Sequence, residues 1–532
     1  MLLQKDRVNG VYSMGNITFT SYLSSPVRWI KGFSKTQDIV FLYLLALIPR
    51  LIFVAIAGQG PLSLDEIEYD RIAWYLSEGE GFLWYFGLEC TFRPPVYAAF
   101  IGLIYFIAGP DYYIARLVQT FVIATQSVIT YLIARELFSR KVSLLSGLIV
   151  ALYLTLICFS VTLMSENLFI SFLLLSLLFM LRFHRYRTYK YTALTGFFLM
   201  LGILTRPSLG PFVLLLLPWF YWPQKDLKLT LRHIGCLALI ILIPVSMWVY
   251  RNYQVTGEFV YIDSRAGYNL YIGYNEQSPG NFHMQSATEL LFKHVENTIN
   301  AVAPEISRSK GHGMFSREIR SYETRKHISY EQYPLDNAPS DVWFDRYGKE
   351  QALSFMRDHP WDALMLVPKK FMYFWNLEHR ILLFGYSQGV IGHLPTIPLA
   401  ILFFCLLAPF VFIVIGSILY LTTSRLNVKT LLLLTPVAYL TVMHSLTFGD
   451  ARFHYPIVPI LAIFASGAVF NMSIFGGNGI KMFARETLLW RKILGVGLIS
   501  LFVFMWSYGL YESLGKWITV FGPSGHHSYL SF

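Results

Sequence analysis

The chain has 532 residues, 55% hydrophobic and only 14% charged, and its 43 Lys and Arg against 32 Asp and Glu leave a formal net charge of +11. A water-soluble protein of this size carries about a quarter charged residues to cover its core, so composition excludes one. The basic residues fall in short clusters between apolar runs and not along a stripe that could track phosphates, which argues against a nucleic-acid partner and matches loops on the cytoplasmic side of a membrane.

Residues 1–38 are polar, carry Lys5, Arg7, Arg28, Lys31 and Lys35, and lack a short apolar core ahead of a small-residue cleavage site, so they read as a cytoplasmic tail. Apolar runs at 39–57, 112–134, 142–162, 166–183, 190–204, 209–222, 233–250, 396–421, 429–446, 456–475 and 491–512 predict an all-α polytopic membrane protein with about eleven transmembrane helices. A further run, 95–109, is short. The loops with Arg135 and Arg140, Arg182 to Lys190, Lys225 to Arg232, Arg425 and Lys429, and Lys481 to Lys492 all face the cytoplasm only if 95–109 does not cross. It is therefore expected to be a juxtamembrane helix at the outer interface. The N-terminus is then cytoplasmic, and the protein is expected in a bacterial plasma (inner) membrane.

This topology divides the chain into a membrane module at 39–250 that includes the outer loop 58–111, an extracytoplasmic cap loop at 251–395, the last spans at 396–512 and an outer tail at 513–532. The cap is expected to be mainly helical, with pieces near 285–300 and 345–358, the second ending before Pro360. The four cysteines lie far apart and imply no disulfide framework.

The outer loop opens with Leu64-Asp65-Glu66-Ile67-Glu68-Tyr69-Asp70-Arg71. Tyr69, Ile72, Ala73 and Leu76 recur at helical spacing, predicting a helix over 66–77 with its apolar stripe on the bilayer and Asp65 at or near the N-cap. A carboxylate fixed there can cap a helix, and it is also what a general base requires. Arginines gather on the same side. Arg93 precedes Pro94-Pro95, Arg206 precedes Pro207, Arg452 lies in FGDARFHYP, Arg116 stands near the outer start of the second span and Arg50 lies within the first. One such arginine can snorkel; five together point to an anion, for which guanidinium supplies a planar fork of donors. Glu166 opens a span from the outer side as a potential arginine partner. His444, Asp450 and His454 cluster at another outer connection, but their spacings match no helical metal motif. Neither a P-loop nor a dinucleotide-binding glycine fingerprint occurs.

The segments LDEIEYDRIAWYLSEGEGF, RPPVYAAFIGLIYFIAGPDYYIARL, SVTLMSENLF, LGILTRPS and HSLTFGDARFHYPIVP together resemble the class C (GT-C) membrane glycosyltransferases. The likeness is to the branch of protein O-mannosyltransferases and lipid A aminoarabinose transferases, glycosyltransferase family 39. It covers 39–250, with a weaker echo at 429–475. The resemblance implies a GT-C-like helix bundle and transfer of a sugar, with inversion, from a polyprenyl-phosphate-linked donor to a glycan, lipid or protein acceptor outside the cytoplasm. It implies Asp65 and Glu66 as catalytic carboxylates and Arg93 as a contact to the carrier phosphate. Arg206, Arg50 and Arg116 are further phosphate candidates, and Glu166, Tyr69, Arg452 and His454 supporting ones. Phe92 stands where the aminoarabinose transferases have a glutamate that helps bind zinc, so no metal or other cofactor is carried over, and a divalent ion stays the minor alternative. Rival functions are a lipid-linked oligosaccharide flippase, and an O-antigen polymerase or ligase using a diphosphate-linked donor.

Overall fold

A computed structural model describes residues 34–60, 62–84, 87–281, 341–379, 383, 394–471 and 488–522. The chain divides into two compact units, Met1–Phe41 and Leu42–Phe532. Of the first, the described part is residues 34–41, where helix α1 (Lys35–Ala57) begins. The rest concerns the second.

The described residues form helices and no strand longer than an isolated bridge. Among the described residues eight helices are long and apolar enough to cross a membrane: α1, α4 (Tyr112–Arg135), α7 (Glu166–Tyr186), α10 (Leu227–Thr256), α14 (Thr396–Thr423), α15 (Val428–Leu446), residues 451–470, which take in most of α16 (Val458–Asn471), and α17 (Leu489–Glu512). Their outer faces are apolar. Leu44, Ile48, Ile52 and Ile56 of α1 and Leu239, Leu242, Ile243 and Met247 of α10 are exposed. Apolar faces of that extent need lipid as solvent, so the protein is an integral membrane protein.

Three of the eleven expected spans are shorter or broken. α8 (Tyr189–Ile203) has 15 residues and α9 (Phe212–Tyr221) has 10, against the roughly 20 that cross a bilayer. Pro207, which lacks an N–H, divides them through a 3-10 turn at Pro207–Leu209. The run 142–162 is a pair bent by 47°, α5 (Arg140–Ala151) and α6 (Leu154–Cys158) with its 3-10 extension, and would make a ninth span if counted as one. At that break the last carbonyls of α5 lose their helical partners. Arg50 supplies the donors: Nη1 reaches Ala46 O at 2.8 Å and Ala151 O at 2.9 Å, and Nη2 reaches Val150 O at 3.3 Å. Arg50, expected as a phosphate candidate, is fully buried, and both of its terminal nitrogens donate to backbone carbonyls at this break.

The expected helix in the first outer loop is α2 (Leu64–Ser77), and residues 95–108 form α3 (Pro95–Ala108) with Pro95 at its first position. The stripe of α2 does not face lipid. Tyr69, Ile72 and Ala73 are buried, and Leu76 packs on Gly102, where an added Cβ would lie 3.1 Å from its own. A glycine at that crossing lets α2 and α3 pack face to face, which withdraws the stripe from the bilayer.

In the cap, α11 (Ala266–Gly273), α12 (Asp341–Asp358) and α13 (Pro360–Phe374) are described; the expected helix at 285–300 lies outside the described residues. Gly267 lets α11 touch α12, since a Cβ there would meet Asp345 O at 1.9 Å. Lys370 of α13 is fully buried, lies over the Tyr274 ring, and its Nζ takes no hydrogen bond among the described residues. Burial pushes its ammonium down to about 6. Between that value and an unfolded value of about 10.4, the unfolded chain binds a proton that the folded chain does not, so stability rises with pH through this window. Lys370→Met is expected to raise the thermal unfolding midpoint in detergent and to flatten its rise between pH 6 and pH 10, as measured by unfolding curves across that range.

Candidate active site

The site forms where proline-broken segments meet the N-terminus of α2. Backbone pairs set the register: Val96 N donates to Leu204 O at 3.2 Å, and Ser264 N donates to Thr91 O at 2.8 Å. Residues 91–96, 204–206 and 263–265 are thereby neighbours despite their distance in sequence.

The N-cap of α2 is Ser63, so Asp65 is the second residue of the helix, in its first turn, near the cap as expected from the sequence. Its carboxylate accepts from Arg93 Nη2 at 2.6 Å and from Arg452 Nη1 at 3.2 Å. Arg93 extends the other arm of its fork to Glu68, and its guanidinium lies 4.9 Å from the centre of the Tyr69 ring. Exposure separates these groups. The side chains of Arg93 and Glu68 are 4% and 5% exposed, whereas Asp65 and Arg452 each keep 27%. Of the carboxylates on α2 that take part, Asp65 is the one a substrate could reach.

Glu66 is committed elsewhere. Oε2 accepts from Ser63 N at 2.8 Å, while Oε1 accepts from Leu163 N at 2.7 Å and from Arg116 Nη2 at 2.9 Å. Arg116 also donates to Gly58 O and Gly60 O, both at 2.8 Å. These two buried residues, expected as a catalytic carboxylate and a phosphate contact, tie the start of α2 to α4 and to the segment that precedes α7, while Arg116 Nε has no hydrogen-bond partner among the described residues.

Arg206, at the head of the Pro207 turn, pairs with Glu166 at 2.6 Å and remains 21% exposed. Its guanidinium lies 5.6 Å from the centre of the Phe453 ring, and that of Arg452 lies 5.2 Å from the same ring. The two cations therefore converge on one aromatic ring beside Asp65. Arg452 projects from a 3-10 segment, Ala451–Ile457, whose start is held by Asp450 Oδ1 accepting from Arg452 N at 3.0 Å.

His444, Asp450 and His454 do not converge. His444 stacks on Phe374 and Phe453, Asp450 caps the turn, and His454 points to Glu378. Among the described residues no group of three His, Cys, Asp or Glu could hold a metal ion. The Phe92 position is filled by an aromatic stack with Trp84.

Sequence reasoning missed three residues here: Asp263, Arg265 and Glu378. Arg265 lies 4.9 Å from the Phe92 ring centre and adds its charge to the field at Asp65 and Glu68. An arginine on the outer side was the available signal, but it lies in a long loop, where the charge bias of short loops does not apply. The electrostatics set the carboxylates apart. Burial pushes Asp65 up, but Arg93, Arg452 and Arg265 outweigh it and hold Asp65 well below the usual carboxylate range. Burial, assisted by the charge on Asp65, raises Glu68 in spite of Arg93. Burial raises Asp263 to about 6 although Arg265 and Arg93 oppose it. An ionised, partly exposed carboxylate can take a proton from a hydroxyl, and the two partly exposed guanidinium groups beside it can hold a phosphate.

Residues 92–248 match the family described as dolichyl-phosphate-mannose-protein mannosyltransferase. The resemblance to class C glycosyltransferases read from the sequence motifs is thus matched over that segment. A search of curated proteins found no match. Among solved structures, the chain is similar to the oligosaccharyltransferase AglB from Archaeoglobus fulgidus in complex with an inhibitory peptide and a dolichol-phosphate, at 14% identity and a TM-score of 0.45, over 95% of this chain and 61% of that one. It is also similar to ArnT from Cupriavidus metallidurans bound to undecaprenyl phosphate, at 13% identity and a TM-score of 0.37, over 82% of this chain and 78% of that one. The chain spans 61% of the length of the oligosaccharyltransferase.

Proposed function

We propose that this protein is a glycosyltransferase that moves a sugar from a polyprenyl-phosphate-linked donor to an acceptor hydroxyl on the extracytoplasmic side, with inversion. The observation that carries the reading is the partly exposed Asp65 carboxylate held between Arg93 and Arg452, with Arg206 beside it. The family match over 92–248 supports the same class of donor.

In this reading Arg206 and Arg452 hold the donor phosphate, and Arg93 orients Asp65. The acceptor oxygen bonds to the anomeric carbon from the face opposite the phosphate as Asp65 takes the hydroxyl proton. The carbon–oxygen bond to the phosphate breaks with its electron pair, releasing polyprenyl monophosphate, whose growing charge the arginines stabilise. In the resting site three arginines make Asp65 a weak base. A bound phosphate competes for Arg452, the longer of the two contacts to Asp65, and so returns basicity to the carboxylate when donor is in place.

The test is transfer by purified protein from polyprenyl monophosphate sugars against the diphosphate-linked forms. Turnover only with the diphosphate would replace this reading with a polymerase or ligase, and movement of donor across vesicles without transfer would replace it with a flippase. The sidedness predicts that reporter fusions after residues 110 and 186 read outside and inside; an inside signal at 110 would invert the topology.

A further inference from the structure

His454 and Glu378 form a second buried polar pair that no step above uses. Both side chains are 0% exposed. The imidazole Nδ1 lies 2.5 Å from Phe374 O, the carbonyl of the last residue of α13, and Nε2 lies 3.0 Å from Glu378 Oε1. A carbonyl only accepts, so Nδ1 carries a hydrogen, and the proton shared by Nε2 and Oε1 leaves the pair neutral overall whichever atom holds it. Thr155 donates its hydroxyl to Glu378 Oε2, and the Phe410 ring stacks on the imidazole at 4.3 Å and 10°. His454 is thus fixed at both ring nitrogens and on one face, which costs more to bury than an apolar pair of the same size and calls for a reason.

Its position supplies one. Arg452 stands two residues earlier on the same 3-10 segment, whose first turn is pinned by Asp450, and Gly449, just before Asp450, is pressed against Lys370 O, where a Cβ would lie at 2.1 Å. The Arg452 side chain meets Asp65 at 3.2 Å and lies over the Phe453 ring while remaining partly open to solvent, contacts whose geometry depends on where its backbone is held. The strong restraint lies at His454. We propose that the Glu378–His454 pair is a positioning device for Arg452: by locking residues 450–457 to the end of α13 it holds the Arg452 guanidinium in register with Asp65. Glu378 and His454 act through Arg452 and touch no substrate; the catalytic consequence rests on the function proposed above, whereas the register itself does not.

The hydrogen-bond chemistry singles out the informative variants. Glu378→Gln can donate its amide to the Nε2 lone pair and accept from Thr155, so it restores the network with a neutral imidazole; Glu378→Met keeps the size and loses both bonds. Glu378→Gln is expected to turn over near the wild-type rate, and Glu378→Met about 10- to 100-fold more slowly, as fits misplacement of a group by about an ångström. In an Arg452→Ala background Glu378→Met is expected to cost less than about twofold more, because the group it positions is gone. Equal losses in both backgrounds, or a folded Glu378→Met protein with full turnover, would overturn the proposal. A readout without catalysis keeps it separate from the function: the thermal-unfolding coupling between Arg452→Ala and Asp65→Asn should be present in the wild type and vanish in Glu378→Met, with His454→Phe, which retains the Phe410 stack, as a second carrier of the test. If the wild type transfers no sugar, the function falls and this coupling still decides the register; a coupling that persists in both variants overturns it.

Discussion

Asp65→Asn is expected to leave a folded protein that still binds donor lipid but transfers sugar roughly 10²–10⁴-fold more slowly, the loss typical of removing a general base. The geometry makes this a clean substitution. Ser63 caps α2, so the cap does not depend on the Asp65 side chain, and asparagine retains an oxygen for Arg93 Nη2. What asparagine cannot do is take a proton. Its amide would face Arg452 with a donor and lose that contact, which leaves Arg452 available to the phosphate, so donor-lipid affinity is expected to change by far less than turnover. Asp65→Glu should be poor as well, since one methylene shifts the carboxylate by about an ångström, enough to cost on the order of 10²-fold. Glu66→Gln is the contrasting case. It disturbs three hydrogen bonds that hold the start of α2, so its effect is expected in thermal unfolding and folded yield. Wild-type turnover by Asp65→Asn, measured per folded molecule, would move the base elsewhere, with Asp263 the next carboxylate to test.

Arg452→Ala and Arg206→Ala are each expected to weaken binding of polyprenyl monophosphate, by an amount corresponding to about 2–5 kcal/mol for a desolvated charge-assisted contact. Lysine at either position should recover part of this, because it keeps the charge and loses the planar fork. Arg452→Ala carries a second signature that Arg206→Ala lacks. Arg452 is one of the cations that depress Asp65, so removing it raises that carboxyl, and the acid limb of the kcat/KM profile is expected to move to higher pH. Arg93→Ala should act differently again: its donors are committed to Asp65 and Glu68, so the loss falls on turnover through a misplaced Asp65. Undiminished phosphate affinity in both Arg452→Ala and Arg206→Ala, by calorimetry or by competition with labelled lipid, would remove them from the phosphate site.

Much of this protein is legible in residue order because the bilayer imposes strong one-dimensional constraints. Apolar length marks the eight long spans, the helical period marks α2, and the Pro94-Pro95 pair marks the start of α3. The gathering of Asp65, Arg93, Arg206 and Arg452 on one side also follows from where they stand relative to the spans. Hydropathy could not foresee that the run at 142–162 breaks, because the break is stabilised by Arg50, a side chain about a hundred residues away. Nor could it distinguish Asp65 from its neighbour Glu66. Adjacent carboxylates on a helix point in different directions, and only the packing of α2 decides that one meets Arg116 and Leu163 in a closed interior while the other meets Arg452, 387 residues away, at an open edge. The same holds for Asp263, Arg265 and Glu378. Charge and burial act through space with no regard for sequence separation, so the type of chemistry is written along the chain, and which residue performs it is settled by the contacts that folding creates.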